Sequence, residues 1–146
     1  MIMVVNGPNI NLLEERDREL YGGISAGEIK NELEARAAED YFDIEWKQSN
    51  SEGMLVDFLQ KNRHNAQGII INPAAYSHTS IALLDCFKML DIPIIEVHLS
   101  NPAARGDDRE FLTAAAADGV IMGFGAESYL LAYQELKRII SSGGEQ

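Results

Sequence analysis

The stretch GIIINPAAYSHTS, Gly68 to Ser80, decides how this chain folds. Gly68 to Ile71 is a short β-branched run, as expected of a strand buried on both faces of a parallel sheet. At Asn72 and Pro73 the run gives way to a polar loop, and Thr79 to Leu90 reads as a helix. A buried strand, a polar loop and a helix in that order are the first two thirds of a βαβ unit.

The same unit recurs in both directions. Met1 to Val5, Phe42 to Lys47, Ile92 to Val97 and Val120 to Met122 are further short, β-branched-rich runs. Ser25-Ala-Gly-Glu28 is a capping-box pattern that opens a helix to about Glu39. Ser51 can cap a helix carrying Met54, Leu55, Phe58 and Leu59 on one face, and Ala126 to Ile140 reads as the last helix. Alternating strands and helices imply right-handed crossovers and a parallel sheet covered on both faces. Five strands in 146 residues predict an α/β fold, a flavodoxin-like doubly wound sheet forming one domain over residues 1–146.

Composition narrows the function. A net charge of -11, from 12 basic and 23 acidic residues, disfavours nucleic acid and anionic membrane, which need clustered Lys or Arg. It leaves room for a small anionic substrate, because a few arginines set the potential of one pocket. The single Cys86 excludes an internal disulfide framework and Cys-based zinc spacing. MIMVVNGPN lacks a basic region and a long apolar run, so it reads as a first strand rather than a signal peptide. No run reaches membrane-spanning length, and a cytoplasmic protein is the default expectation.

In doubly wound sheets ligands bind outside the carboxyl ends of the strands, near the point where strand order reverses. Here those ends carry NGPN (Asn6 to Asn9), NPAAYSHTS (Asn72 to Ser80), HLSN (His98 to Asn101) and GFG (Gly123 to Gly125). His78 and His98 both fall on that rim. His98 follows an apolar strand and so has a rigid mount for acid or base work near neutral pH. Glu96 is an ionisable residue inside that strand: it orients His98 or a substrate hydroxyl, forms a structural ion pair, or sits at a solvated edge.

Several chemistries are disfavoured. Gly123-Phe-Gly-Ala lacks the third glycine and the downstream acid of a dinucleotide loop. The first-strand loop lacks the Ser/Thr-rich phosphate loop of a flavin carrier. There is no Gly-x-Ser-x-Gly elbow, no suggestive Cys–His pair and no metal-ligand cluster. What remains is acid and base chemistry without cofactor or metal, from Tyr21, His98, Arg16, Arg109 and backbone amides.

These residues sit in blocks that resemble a known family. NGPNINLL, YGG, QSNSEG, IIINPAAYSHTSIALLD, PIIEVHLSN and GVIMGFGAESYLLA, in that order, are similar to the type II 3-dehydroquinate dehydratases of the shikimate pathway. The resemblance implies a homododecamer built as a tetramer of trimers. It also implies reversible anti elimination of water from 3-dehydroquinate through an enolate, without metal, cofactor or lysine imine. Tyr21 would be the base, Arg16 the cation that favours its phenolate, and His98 the acid on the departing hydroxyl, supported by Glu96. Asn9 would help hold a water at the enolate. The amides of Leu99 and Ser100, the Ser100 hydroxyl and Asn72 would hold the carboxylate and neighbouring oxygens, and His78 and Arg109 the ring hydroxyls. Asp85 would reach in from an adjacent subunit.

The stretch LLEERDRELYGG, Leu12 to Gly23, then reads as a closing loop with Gly22 and Gly23 as hinges. Relative to the family pattern, Glu14 stands for a glycine and Arg18 for a proline, and Pro102, Ala103, Gly106 and Asp108 replace the usual residues around Arg105 and Arg109. Those changes motivate a second reading: a catalytically weak homologue that binds a small ligand or serves assembly.

Overall fold

The computed structural model describes residues 1–16, 18–21 and 23–143, with the side chains of residues 20 and 21 outside that set. Five strands form one parallel sheet: β1 (Ile2–Asn6), β2 (Ile44–Gln48), β3 (Gly68–Asn72), β4 (Ile94–His98) and β5 (Gly119–Met122), in the order β2-β1-β3-β4-β5. The helices are α1 (Arg18–Tyr21), α2 (Ala26–Glu39), α3 (Glu52–Asn62), α4 (Ile81–Lys88) and α5 (Glu127–Gly143). The expected flavodoxin-like order is therefore present.

Alternation along the strands builds two cores. Ile2, Val4 and Ile70 face Ile29 and Leu33 of α2 and Tyr129, Tyr133 and Leu136 of α5. Met3, Val5, Ile69 and Ile71 face Leu55 and Leu59 of α3 and Leu83 and Phe87 of α4. β1, β3 and β4 are wholly buried, whereas the edge strands β2 and β5 are only partly so, against the uniform burial that their sequences suggest. An edge strand has one open flank, so fewer neighbours cover it.

The helix starts follow the sequence signals. Ser25 and Glu28 form the reciprocal capping box, and the hydroxyls of Ser51 and Ser80 accept from the N–H groups of Met54 and Leu83. Two expectations need correction. The buried stripe of α3 is Leu55 and Leu59; Met54 is exposed and Phe58 half-buried, because each lies about 100° around the helix from the residue that follows it. The span expected as helix from Thr79 to Leu90 narrows to α4, since Ser80 caps it and Met89 closes it.

Strand order reverses between β1 and β3, so their following loops diverge and leave a crevice. The two loops nonetheless start in contact. The Gly7 N–H donates to the Asn72 carbonyl at 2.8 Å, and a Cβ on Gly7 would lie 2.4 Å from the Pro73 carbonyl oxygen. Only glycine fits there. QSNSEG then holds the first loop from the other side: Gln48 Nε2 donates to the Gly7 carbonyl at 3.1 Å and Asn50 Oδ1 accepts from the Asn9 N–H at 3.0 Å. Asn9 takes the left-handed conformation, with φ of 71°.

The first part of the expected closing loop is anchored to the core. Ile10–Glu15 winds into short 3-10 turns, and Leu13 is fully buried in the core shared by α2 and α5. Burying a leucine contributes about 1.5–3 kcal/mol, enough to anchor the turn.

Candidate active site

A pocket of about 80 Å³ opens at the carboxyl ends of β1, β3 and β4. Its wall combines Asn9 and Arg16 from the segment after β1, Asn72 and His78 from the end of β3 and its loop, and His98, Leu99 and Ser100 from the end of β4. Arg105 and Arg109 complete it from the segment after β4. Three arginines and two histidines line the pocket, and among the described residues no carboxylate does. A chain of net charge -11 thus presents a locally positive cavity, which suits a small anion.

The floor of this pocket is fixed by buried bonds. Glu96 and His98 are two apart on β4 and so share a face of the sheet. Glu96 is fully buried; its Oε2 lies 3.0 Å from His98 Nε2 and accepts from Ser77 Oγ at 3.2 Å, while its Oε1 accepts a short hydrogen bond from the Thr113 hydroxyl. Of the three readings of Glu96 that the sequence left open, burial excludes the solvated edge, and the bond to His98 fits both a structural ion pair and a partner that orients His98. With Nε2 turned to Glu96, Nδ1 is the ring nitrogen left for a ligand.

His78 is oriented by backbone. Its Nδ1 lies 2.7 Å from the Glu110 carbonyl, so Nδ1 carries the proton and Nε2 remains for a ligand. The His78 and His98 rings are stacked at 6.3 Å, and Phe111 meets both edge-on, at 5.1 and 6.3 Å.

The rim differs. Arg105 Nη2 donates to Ser100 Oγ at 3.0 Å. Arg109 Nε donates to Asp107 Oδ2 at 2.7 Å, an exposed pair. The hydrogen bond from Arg109 first, and the nearby Arg105 and His78 next, hold the Asp107 carboxyl below the usual range. Among the described residues no backbone carbonyl takes the N–H of Leu99 or Ser100, which leaves two amides beside these cations. Cys86 is buried on the inner face of α4 and its thiol is pushed up by burial, which disfavours it as a nucleophile.

A family model described as "Dehydroquinase class II" matches residues 1–137. The chain belongs to this family. It is similar to the 3-dehydroquinate dehydratase of Caulobacter vibrioides, with 48% identity over 91% of this chain and 92% of that one. It is also similar to 3-dehydroquinate dehydratase 1 of Agrobacterium fabrum, with 44% identity over 95% and 97%. Among solved structures, the type II dehydroquinase of Propionibacterium acnes shares the fold with a TM-score of 0.87 at 34% identity, covering 96% of this chain and 95% of that one. That of Butyrivibrio crossotus gives a TM-score of 0.86, also at 34%, over 93% and 96%.

Within this class II dehydroquinase, the structure brings Asn9, Arg16, Asn72, His78, His98, Leu99, Ser100 and Arg109 to one pocket and sets Glu96 directly behind His98. Asp85 is exposed on α4 and does not line the pocket of its own chain. The Tyr21 side chain, with Asp17 and the proposed hinge at Gly22, lies outside the described residues. Gly123 to Gly125 does not line the pocket; instead it ties β5 to β4, with the N–H groups of Gly123 and Gly125 donating to the carbonyls of His98 and Leu99. Sequence reasoning missed Ser77, Thr113, Arg105 and Phe111 as site components. Ser77 was within reach, since it adjoins His78 in the quoted stretch. Thr113 was not, because only the folded chain brings it beneath Glu96.

Proposed function

We propose that the pocket binds the carboxylate of 3-dehydroquinate and that the residues on its wall divide the elimination between them. As a class II dehydroquinase the chain is a hydro-lyase that dehydrates 3-dehydroquinate to 3-dehydroshikimate. The observation that carries the assignment of roles is the Glu96–His98 pair, buried at the floor of a cavity walled by three arginines.

In this reading the Leu99 and Ser100 amides, the Ser100 hydroxyl and Asn72 hold the carboxylate, and His78 and Arg109 hold ring hydroxyls. The Tyr21 phenolate, favoured by Arg16, removes the proton alpha to the ketone, and the electron pair moves onto the ketone oxygen as an enolate. A water held by Asn9 stabilises that charge. The enolate then expels the hydroxyl on the far side as His98 protonates it, so that water leaves and the conjugated enone forms. His98 ends neutral and Tyr21 protonated, and a proton returned from Tyr21 to His98 through solvent resets the site. Nothing in this sequence draws on a metal, a cofactor or a lysine imine.

The assembly belongs to the same reading. Asp85 lies on α4 between Ile81, its first residue, and Met89, its C-cap, two exposed apolar side chains, which is consistent with a subunit contact that delivers Asp85 to a neighbour's pocket. A homododecamer, as a tetramer of trimers, would supply that neighbour. No described helix is long and apolar enough to cross a membrane, which fits the proposed place of work in the cytoplasm. A weak homologue with a binding role is disfavoured by 48% identity to a relative that carries the enzyme's name.

The test follows the enone by ultraviolet absorbance for wild type, Tyr21→Phe and His98→Ala, with mass measured by light scattering. Wild type is expected to turn over without added metal, and each variant to lose rate by on the order of a hundredfold or more. A folded, assembled wild type without turnover would overturn the reading.

A further inference from the structure

A chain of side-chain hydrogen bonds runs behind the pocket and reaches α5, whose residues have no part in the chemistry above. Asn6 and Asn72 end the adjacent strands β1 and β3 at the same level. Tyr129, fully buried on the first turn of α5, lies between them: its hydroxyl donates to Asn6 Oδ1 at 2.6 Å and accepts from Asn72 Nδ2 at 3.0 Å. Asn6 Nδ2 donates in turn to the Lys47 carbonyl at 3.4 Å, and Asn72 Oδ1 accepts from the Ala74 N–H at 3.1 Å.

We infer that Tyr129 is a positioning residue for the substrate pocket, which fixes the Asn72 amide so that its nitrogen, and not its oxygen, serves the bound carboxylate. An asparagine amide is nearly symmetric in shape, so only its neighbours decide which end faces where. Here both ends of the chain have fixed polarity. The Lys47 carbonyl can only accept, which turns Asn6 Oδ1 to Tyr129. The hydroxyl proton then points at Asn6, and the Tyr129 oxygen can only accept from Asn72. The Ala74 N–H can only donate, and selects the same Asn72 orientation from the other side. One Nδ2 hydrogen is used on Tyr129, and the second remains for the pocket that Asn72 lines. A donor there favours a carboxylate, whereas a carbonyl oxygen would repel it.

The start of α5 is also tied to the other half of the carboxylate site. The Gly125 N–H donates to the Leu99 carbonyl at 2.9 Å, and Ser128 Oγ accepts from the Phe124 N–H at 3.2 Å. Tyr129 stacks on Trp46 of β2 at 6.3 Å, which holds the ring when the hydroxyl is removed.

This inference rests on the proposed role of Asn72, and a matched pair of variants tests it. Tyr129 and Tyr133 lie one turn apart on α5 with buried rings, and the Tyr133 hydroxyl donates to Asp40 Oδ2 at 2.7 Å, away from the pocket. Tyr129→Phe and Tyr133→Phe are both expected to lower the melting temperature. Only Tyr129→Phe is expected to raise KM for 3-dehydroquinate by about tenfold with kcat within about threefold, and to raise the Kd for shikimate, a non-reacting cyclic carboxylate, by the same factor. Tyr129→Phe with the KM and Kd of Tyr133→Phe would overturn it. Shikimate titration by calorimetry decides the matter even if wild type shows no turnover, which would sink the enzymatic reading alone. Should Tyr129→Phe not fold, Asn6→Ala frees the hydroxyl proton to turn toward Asn72, and wild-type KM and Kd in that variant would overturn the inference as well.

Discussion

The floor and the rim of the pocket are built by opposite means. On the floor, Glu96, Ser77 and Thr113 are buried and bonded to one another, and His98 is almost so. On the rim, Arg109 is held by an exposed pair with Asp107, on a segment whose residues from Ala103 to Glu110 are all exposed. A buried polar group is expensive to leave unpaired, so the floor has one geometry. An exposed ion pair contributes only about 0–1 kcal/mol, so the rim can exchange Asp107 for a ligand oxygen. In the proposed mechanism this difference divides the tasks: proton transfer, which tolerates little displacement, falls to the floor, and capture of the anion to the rim.

Glu96 gives the largest expected break in that comparison. Glu96→Ala leaves the Ser77 and Thr113 hydroxyls and His98 Nε2 without their acceptor, at a cost of roughly 3 kcal/mol in stability. The rate is expected to fall on the order of a hundredfold, because the His98 ring loses the buried partner that orients it. Glu96→Gln keeps the shape and is expected to recover most of the stability and little of the rate. Denaturant melts and the enone assay on both variants check this, and a fully active Glu96→Gln would show that the floor supplies packing alone.

The rim is expected to respond in KM. Arg109→Ala should raise KM by about tenfold with little change in kcat, and the melting temperature should stay within about a degree of wild type. Asp107→Asn removes the competitor for Arg109 and should lower KM by no more than about threefold. Both effects should shrink as salt rises, since exposed charges are screened within about 10 Å at 0.1 M. A stability loss in Arg109→Ala comparable to that of Glu96→Ala would erase the distinction between the two regions.

The same division explains what could be read from the sequence. The fold was legible almost throughout, because burial on both faces leaves continuous apolar runs and helix caps leave Ser at fixed offsets: Ser25 and Ser51 cap where expected, while Ser80 caps inside a span expected to be helical from Thr79. The edge strands misled, since burial of β2 and β5 depends on neighbours the sequence does not name. In the site, residues at strand ends were legible, because doubly wound topology brings Asn9, Asn72 and His98 to one rim. Thr113 and Tyr129 were not. Thr113 lies in the connection before β5, and Tyr129 reads as one more apolar helix position. Their hydroxyls acquire meaning only from long-range contacts, 17 residues back to Glu96 and 123 back to Asn6.

A third region, far from the pocket, supplies the control and the smallest expected effect. Asp40 closes α2 and accepts from the Tyr133 hydroxyl at 2.7 Å and from Lys137 Nζ at 2.9 Å, joining α2 to α5. The hydrogen bonds from Tyr133 and then Lys137 hold its carboxyl below the usual range. A pKa lower in the folded than in the unfolded chain means that the unfolded chain takes up the proton first as pH falls. The stabilisation is therefore complete above the ordinary carboxylate pKa of about 3.9, declines as pH falls through it, and is gone once pH is below the folded value. Asp40→Asn should lower the melting temperature modestly at pH 7, and the gap to wild type should close on the acid side and not on the alkaline side. Steady-state kinetics at pH 7 should be unchanged, because Asp40 touches neither floor nor rim. A shifted KM in Asp40→Asn would mean that the α2–α5 contact is coupled to the pocket through Tyr133, and the control for Tyr129 would then have to move to another helix.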